Sequence, residues 1–188
     1  MYLSCGMSES TFYEYINALE RLFIIKNVNA WSPLLRSKTN VRSTPKRNLI
    51  DPSIAVAALG ASPESLKKDF NTLGFLFESL CIRDLTAYSS KNCGELSYYR
   101  DRYGLEADCV LHLDDGRYAL IEIKLGNNQI DDGAKHLCKI ENLIKEFNQK
   151  YPKNKMTLPS LKIVITGTRF SEKREDGVFV IPIGCLKD

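Results

Sequence analysis

The chain has 188 residues, enough for one domain or two small ones, and at that length it can bury about two thirds of the surface its unfolded form exposes. Its 44% hydrophobic and 26% charged residues are those of a folded globular chain and exclude a disordered, collagen-like or membrane-embedded one. A net charge of +3 is too small to identify a partner, and no apolar run approaches the roughly 20 residues that a membrane-spanning helix needs.

The opening MYLSCGMSES has no basic stretch followed by an apolar core, so no secretory signal is expected and the location is taken as cytoplasmic. From Ser8 to Ile25, apolar residues at Phe12, Ile16, Leu19, Leu22 and Phe23 predict an amphipathic helix with one buried stripe, capped by Ser8 or Ser10. FIIKNVNAW and KRNLID read as short strands around a basic loop, and the segment from Ser32 to Leu49 carries Arg36, Lys38, Arg42, Lys46 and Arg47 and no acidic residue. Such a loop can contact phosphates, although a run of solvated charges is the simpler reading. Asp51 and Pro52 then start a helix through SIAVAALG. Helix, strand, basic loop, strand is the back half of a winged helix, assigned to residues 1–61.

Ser62, Pro63 and Glu64 mark a junction, and residues 62–188 have a different pattern. A largely buried helix is predicted from Thr72 to Tyr88, with Glu78 in its middle. Strands are predicted at ELSYYRDR, EADCVLHL and RYALIEIK, a helix from Ile130 to Phe147, and two further apolar strands at LKIVITG and GVFVIPIG. The fold class expected is α/β, a mixed central sheet flanked by helices. The six cysteines form no C-x-x-C pair and have no nearby histidine partner, so neither a disulfide framework nor a zinc site is expected.

Within the strands the polar residues are unevenly placed. Alternation puts Leu120, Glu122 and Lys124 on one face of RYALIEIK, with Ala119, Ile121 and Ile123 on the other. In the preceding strand Glu106 and Asp108 share a face opposite Ala107, Cys109 and Leu111. A three-residue loop of Asp114, Asp115 and Gly116, with the glycine left-handed, pairs Leu113 with Arg117. Counting back sets Asp108 across from Glu122, whereas a two- or four-residue loop sets it across from Ile123. Carboxylates so placed have Cβ atoms roughly 5 Å apart. They repel by about 1 kcal/mol in water and about 4 kcal/mol near a protein surface, so something must neutralise them. Lys124 offers part of that charge. Two carboxylates and a backbone carbonyl also suit a hard cation, Mg²⁺ or Mn²⁺, with Glu78 as a further oxygen ligand if its helix packs beside the sheet. That set, with Lys124 holding a water or the developing charge and Arg100 steadying a phosphate, is suited to metal-assisted phosphodiester hydrolysis. The competing reading is an exposed ion pair on solvent-facing strands, worth at most about 1 kcal/mol, and D…E-x-K is short enough to arise by chance.

The stretches GFLFESL, YYRDRYGLEADCVL, YALIEIKLG and VFVIPIGCL resemble the C-terminal region of bacterial and archaeal AAA+ superfamily ATPases, catalogued as domain of unknown function 4143. STFYEYINALERLFIIKNV and RNLIDPSIAVAALG resemble it too, so the likeness extends over nearly the whole chain. The resemblance implies a PD-(D/E)XK nuclease-like, restriction-endonuclease-like domain. It places the helix glutamate at Glu78, the motif aspartate at Asp108, the E-x-K pair at Glu122 and Lys124, and an accompanying acid at Glu106. No G-x-x-x-x-G-K-[ST] occurs, so no ATP hydrolysis is expected of these residues. The missing motor and the incomplete winged helix are expected of a truncated gene or an excised piece, with an AAA+ ATPase as partner or as the missing N-terminal region.

Two functions compete on this reading. One is a Mg²⁺-dependent nuclease-like domain acting on DNA through Glu78, Asp108, Glu122 and Lys124. The other is a non-catalytic DNA- or protein-binding module with a vestigial pocket. His112 reads as a surface or partly packed strand residue, Tyr98 and Tyr99 as sheet packing, and His136 and Cys138 as helix residues with no other ligand in reach.

Overall fold

The computed structural model describes residues 6–31 and 44–187. The first helix, α1 (Glu9–Arg21), begins where the Ser8 hydroxyl accepts the Thr11 N–H, and Phe23 comes after it with φ 55°. Its apolar stripe is shallower than the spacing predicts. No residue of α1 is buried, and Leu22 and Phe23 lie beyond its end in solvent. Strands β1 (Ile25–Val28) and β2 (Lys46–Leu49) pair antiparallel, Ile25 opposite Leu49. Helix α2 (Pro52–Leu59) starts at Asp51, whose carboxylate accepts the Ser53 N–H, and stops at Gly60 in the left-handed region that glycine adopts without strain. A single turn, α3 (Pro63–Leu66), is capped by Ser62.

The larger part begins with α4 (Phe70–Ser90), capped by Asp69, and continues through β3 (Glu95–Arg100), β4 (Glu106–His112) and β5 (Tyr118–Lys124). A short 3₁₀ turn (Asn127–Gln129) leads into α5 (Ile130–Lys150), and then come β6 (Leu161–Thr166), β7 (Glu172–Lys173) and β8 (Phe179–Pro182). The six strands are ordered β3-β4-β5-β6-β8-β7. The pairs β3/β4, β4/β5 and β7/β8 are antiparallel, while β5/β6 and β6/β8 are parallel. The expected mixed sheet flanked by helices is therefore present. The two-residue edge strand β7 is an addition that its sequence, EK, gives no periodicity to announce.

Each face of the sheet carries one long helix. Phe77, Cys81, Ile82 and Leu85 of α4 pack on Cys109, Ala119, Ile121, Ile123 and Ile165. On the other face Ala134, Leu137, Ile140 and Ile144 of α5 pack on Val110, Leu120, Val164 and Val178. Leu120 and Leu137 are wholly inaccessible, and truncating either to alanine costs about 2–5 kcal/mol through lost burial and the cavity left behind. The N-terminal segment joins this body at the β3 edge. There the Tyr98 N–H donates to the Asn29 carbonyl at 3.0 Å and the Trp31 N–H to the Tyr98 carbonyl at 2.7 Å. Val28 enters the α4-side core. No helix among the described residues is long and apolar enough to cross a membrane.

Candidate functional site

The hairpin between β4 and β5 turns as its sequence predicts. The Leu113 N–H donates to the Arg117 carbonyl at 2.9 Å, and Gly116 takes φ 85°. Cys109 then faces Ile121 and Val110 faces Leu120, a register whose continuation sets Asp108 opposite Glu122. The ladder stops there. In the alternating pattern of antiparallel bonds the Ile123 N–H is due to meet the Ala107 carbonyl, yet it donates to Oδ2 of Asp108 at 2.8 Å.

A bulge in β4 explains the replacement. Ser97 of β3 faces Val110 and Tyr99 faces Ala107, so three steps along β4 match two along β3. The extra residue breaks strict alternation. Ala107 packs in the α5 layer and Cys109, two positions on, in the α4 layer. The expectation that these two share a face is corrected by that bulge. On β5 alternation holds: Leu120 lies in the α5 layer, and Glu122 and Lys124 come against Gly133 of α5, where an added Cβ would meet the Glu122 Cβ at 3.4 Å and the Lys124 Cε at 3.4 Å.

The two acids converge on one ammonium. Lys124 Nζ is 2.5 Å from Oε2 of Glu122 and 3.4 Å from Oδ2 of Asp108. Glu122 is 2% exposed, and burial first and the Asp108 charge second push its carboxyl up to about 8. Burial lowers the Lys124 ammonium, but Asp108 and Glu122 outweigh that and hold it above the ordinary lysine value.

Glu78 stands on α4, beside the sheet, and lines the same cleft as Asp108 and Lys124. Its carboxylate, however, accepts from Lys46 Nζ of β2 at 3.3 Å. Burial raises Glu78 and Lys46 opposes the rise, whereas burial lowers Lys46 and is outweighed by Glu78 and Asp108. Glu106 lines a second cleft with Lys46, Glu78 and Asp108, and it pairs with Arg100 at 2.9 Å. Arg100 itself lines neither cleft. The Arg47 guanidinium lies 5.6 Å from the Tyr13 ring centroid. Arg36, Lys38 and Arg42 fall outside the described residues.

One neighbour is missed by sequence reasoning. His136 Nδ1 approaches Oε1 of Glu122 at 3.5 Å, which corrects the expectation that this histidine has no ligand-type group in reach. No pattern in the sequence announces it, because it depends on how α5 is laid on β5. His112 instead meets the Ser97 hydroxyl at 3.2 Å.

A hard divalent cation asks for several oxygen donors in one place. Among the described residues no group of three or more His, Cys, Asp or Glu side chains is gathered to hold a metal. Asp108 and Glu122 remain, and two carboxylates completed by water are the donor set that Mg²⁺ takes, so the residues fit with the Lys124 ammonium standing between them.

The sequence profile of a domain of unknown function (DUF4143) matches residues 73–186, well over half of the chain, and the chain belongs to that family. Residues 2–65 match a second domain of unknown function (DUF8612). The upstream stretches STFYEYINALERLFIIKNV and RNLIDPSIAVAALG, expected to share the first likeness, therefore fall in a different match. No curated protein and no solved structure matches the chain.

Proposed function

We propose that this DUF4143-family chain is a metal-dependent, nuclease-like domain that hydrolyses DNA phosphodiester bonds in the cytoplasm. On this reading its sheet and helices form a restriction-endonuclease-like core behind a partial winged helix, and it works as the C-terminal part of an AAA+ ATPase or beside a separate one. The observation that carries the reading is the meeting of Asp108 and Glu122 on the Lys124 ammonium, at the edge of a cleft of about 720 Å³ that Glu78, Asp108 and Lys124 line.

Asp108 and Glu122 would hold Mg²⁺ or Mn²⁺, which when bound lowers the pKa of a water and offsets charge on the phosphoryl group. The chain's own residues supply the rest. Lys124 orients the attacking water or meets the charge that develops on the phosphate. Glu122 would be a ligand whose carboxyl burial holds above its ordinary pKa and the Lys124 ammonium draws back down. Glu78 lines the cleft in the hold of Lys46 and would offer a third oxygen donor were that pair to open. Arg100, Lys46 and Arg47 supply positive charge toward DNA phosphates, with Arg36, Lys38 and Arg42.

A second reading, a binding module with a vestigial pocket, is favoured by one feature. Lys124 and Lys46 already neutralise the acids from within the chain. Incubating labelled DNA with Mg²⁺ or Mn²⁺ separates the two. The nuclease reading expects cleavage that EDTA stops and Lys124→Ala removes; binding without cleavage supports the module.

A further inference from the structure

The cleft beside Asp108 and Lys124 is lined by two unlike groups of side chains. Phe70 and Phe75, near the start of α4, are 68% and 72% exposed. Asn127, Asn128 and Gln129 of the 3₁₀ turn line it too, all exposed. Gly74 also lines it, and a Cβ added there meets nothing within 4 Å. Single exposed apolar side chains need no explanation, but two exposed rings and three carboxamides lining one cleft form a pattern.

The two groups have complementary chemistry. A phenylalanine ring stacks on the face of any base, and each carboxamide presents two N–H donors and one carbonyl acceptor, the groups that pair with base edges. Faces and Watson–Crick edges are available only where bases are unpaired, because a duplex hides both in its stack. Lys124 lines the same cleft.

We propose that this cleft takes the unpaired bases of a single DNA strand, Phe70 and Phe75 stacking on them and Asn127, Asn128 and Gln129 bonding their edges. The inference takes DNA as the ligand from the nuclease reading and adds the form in which the strand is bound.

Fluorescence anisotropy with a labelled strand of about 20 nucleotides and with its duplex, without added divalent cation, provides the test. The single strand is expected to bind at least about 10-fold more tightly. Phe70→Ala and Phe75→Ala are each expected to weaken it by about 5- to 100-fold while leaving duplex binding and the melting temperature unchanged. Gly74→Leu, which adds bulk to the cleft lining, is expected to have the same effect as either. Equal or tighter duplex binding, or single-strand binding indifferent to both phenylalanine changes, overturns the proposal. Mg²⁺-dependent cleavage of the same oligonucleotides is read separately. A strand preference with no cleavage keeps the cleft assignment and removes the hydrolytic reading, and cleavage with no preference does the reverse.

Discussion

The Asp108 carboxylate accepts the backbone N–H of Ile123, in the place that the Ala107 carbonyl takes in an unbroken ladder. A side chain has thus been exchanged for a backbone group at the point where β4 bulges. The exchange fixes Asp108 next to Lys124 instead of leaving it to sample rotamers, and it satisfies a buried donor that would otherwise cost about 1–3 kcal/mol. The convergence of Asp108, Glu122 and Lys124 depends on that placement.

Lys124 competes with a cation for the same oxygens. Lys124→Met keeps the side-chain length and removes the charge, so it is expected to abolish cleavage while tightening Mn²⁺ binding. Isothermal titration of the variant against wild type checks this. Weaker Mn²⁺ binding by Lys124→Met would show that the ammonium helps to build the site and does not occupy it.

Glu78 and Lys46, 32 residues apart in the chain, meet in a half-buried pair. A double-mutant cycle of Lys46→Ala and Glu78→Gln, read by urea denaturation, is expected to give a coupling of about 0.5–1 kcal/mol, discounted for partial exposure. Lys46→Ala alone frees the Glu78 carboxylate and is expected to strengthen cation binding; Glu78→Gln then removes the gain.

Helix α5 passes over Glu122 and Lys124 of β5 at Gly133. A Cβ there sits 3.4 Å from the Glu122 Cβ and the Lys124 Cε, an ordinary contact, and alanine gains up to about 1 kcal/mol of helix preference over glycine. Gly133→Ala is therefore expected to match or exceed the wild-type melting temperature. Gly133→Val adds branches that must displace Lys124, and it is expected to lower both the melting temperature and cleavage.

Much of this site is legible in the sequence, for local reasons. The stretch LDDGR specifies a three-residue loop because only glycine sits easily at φ 85°, and that loop sets the register. The helix starts at Ser8 and Asp51 are local as well. The bulge is not legible, because it exists only in the pairing of β4 with β3, and strict alternation misplaces Ala107. Nor is the capture of Glu78 by Lys46, or the approach of His136 to Glu122, since each depends on how a helix is laid on the sheet. Periodicity predicts a buried stripe on α1 because it reports an amphipathic face without reporting how much protein covers it.

Asp51 caps α2 through the Ser53 N–H and binds Arg83 at 2.6 Å. The bonds from Ser53, and then from Arg83, hold its carboxyl at about 2, below the ordinary value of 3.8. The unfolded chain therefore binds the extra proton first, and the cap's contribution is complete above the ordinary value and lost as pH falls toward about 2. Thermal melts of wild type and Asp51→Ala are expected to differ most at neutral pH and to converge at the acid end of that window. A difference that persists unchanged at the acid end, near a pH of about 2, would place the effect of Asp51 elsewhere than in its charge.

Cation binding itself is the most direct measurement of the central claim. Titrating Mn²⁺ into wild type, Asp108→Asn and Glu122→Gln, with bound Mn²⁺ counted by electron paramagnetic resonance, is expected to show one site in wild type. Each substitution is expected to weaken that site at least about 10-fold, since each removes one of two carboxylate ligands. Equal binding by all three proteins, or none by wild type, would contradict the assignment of Asp108 and Glu122 as partners around one divalent ion.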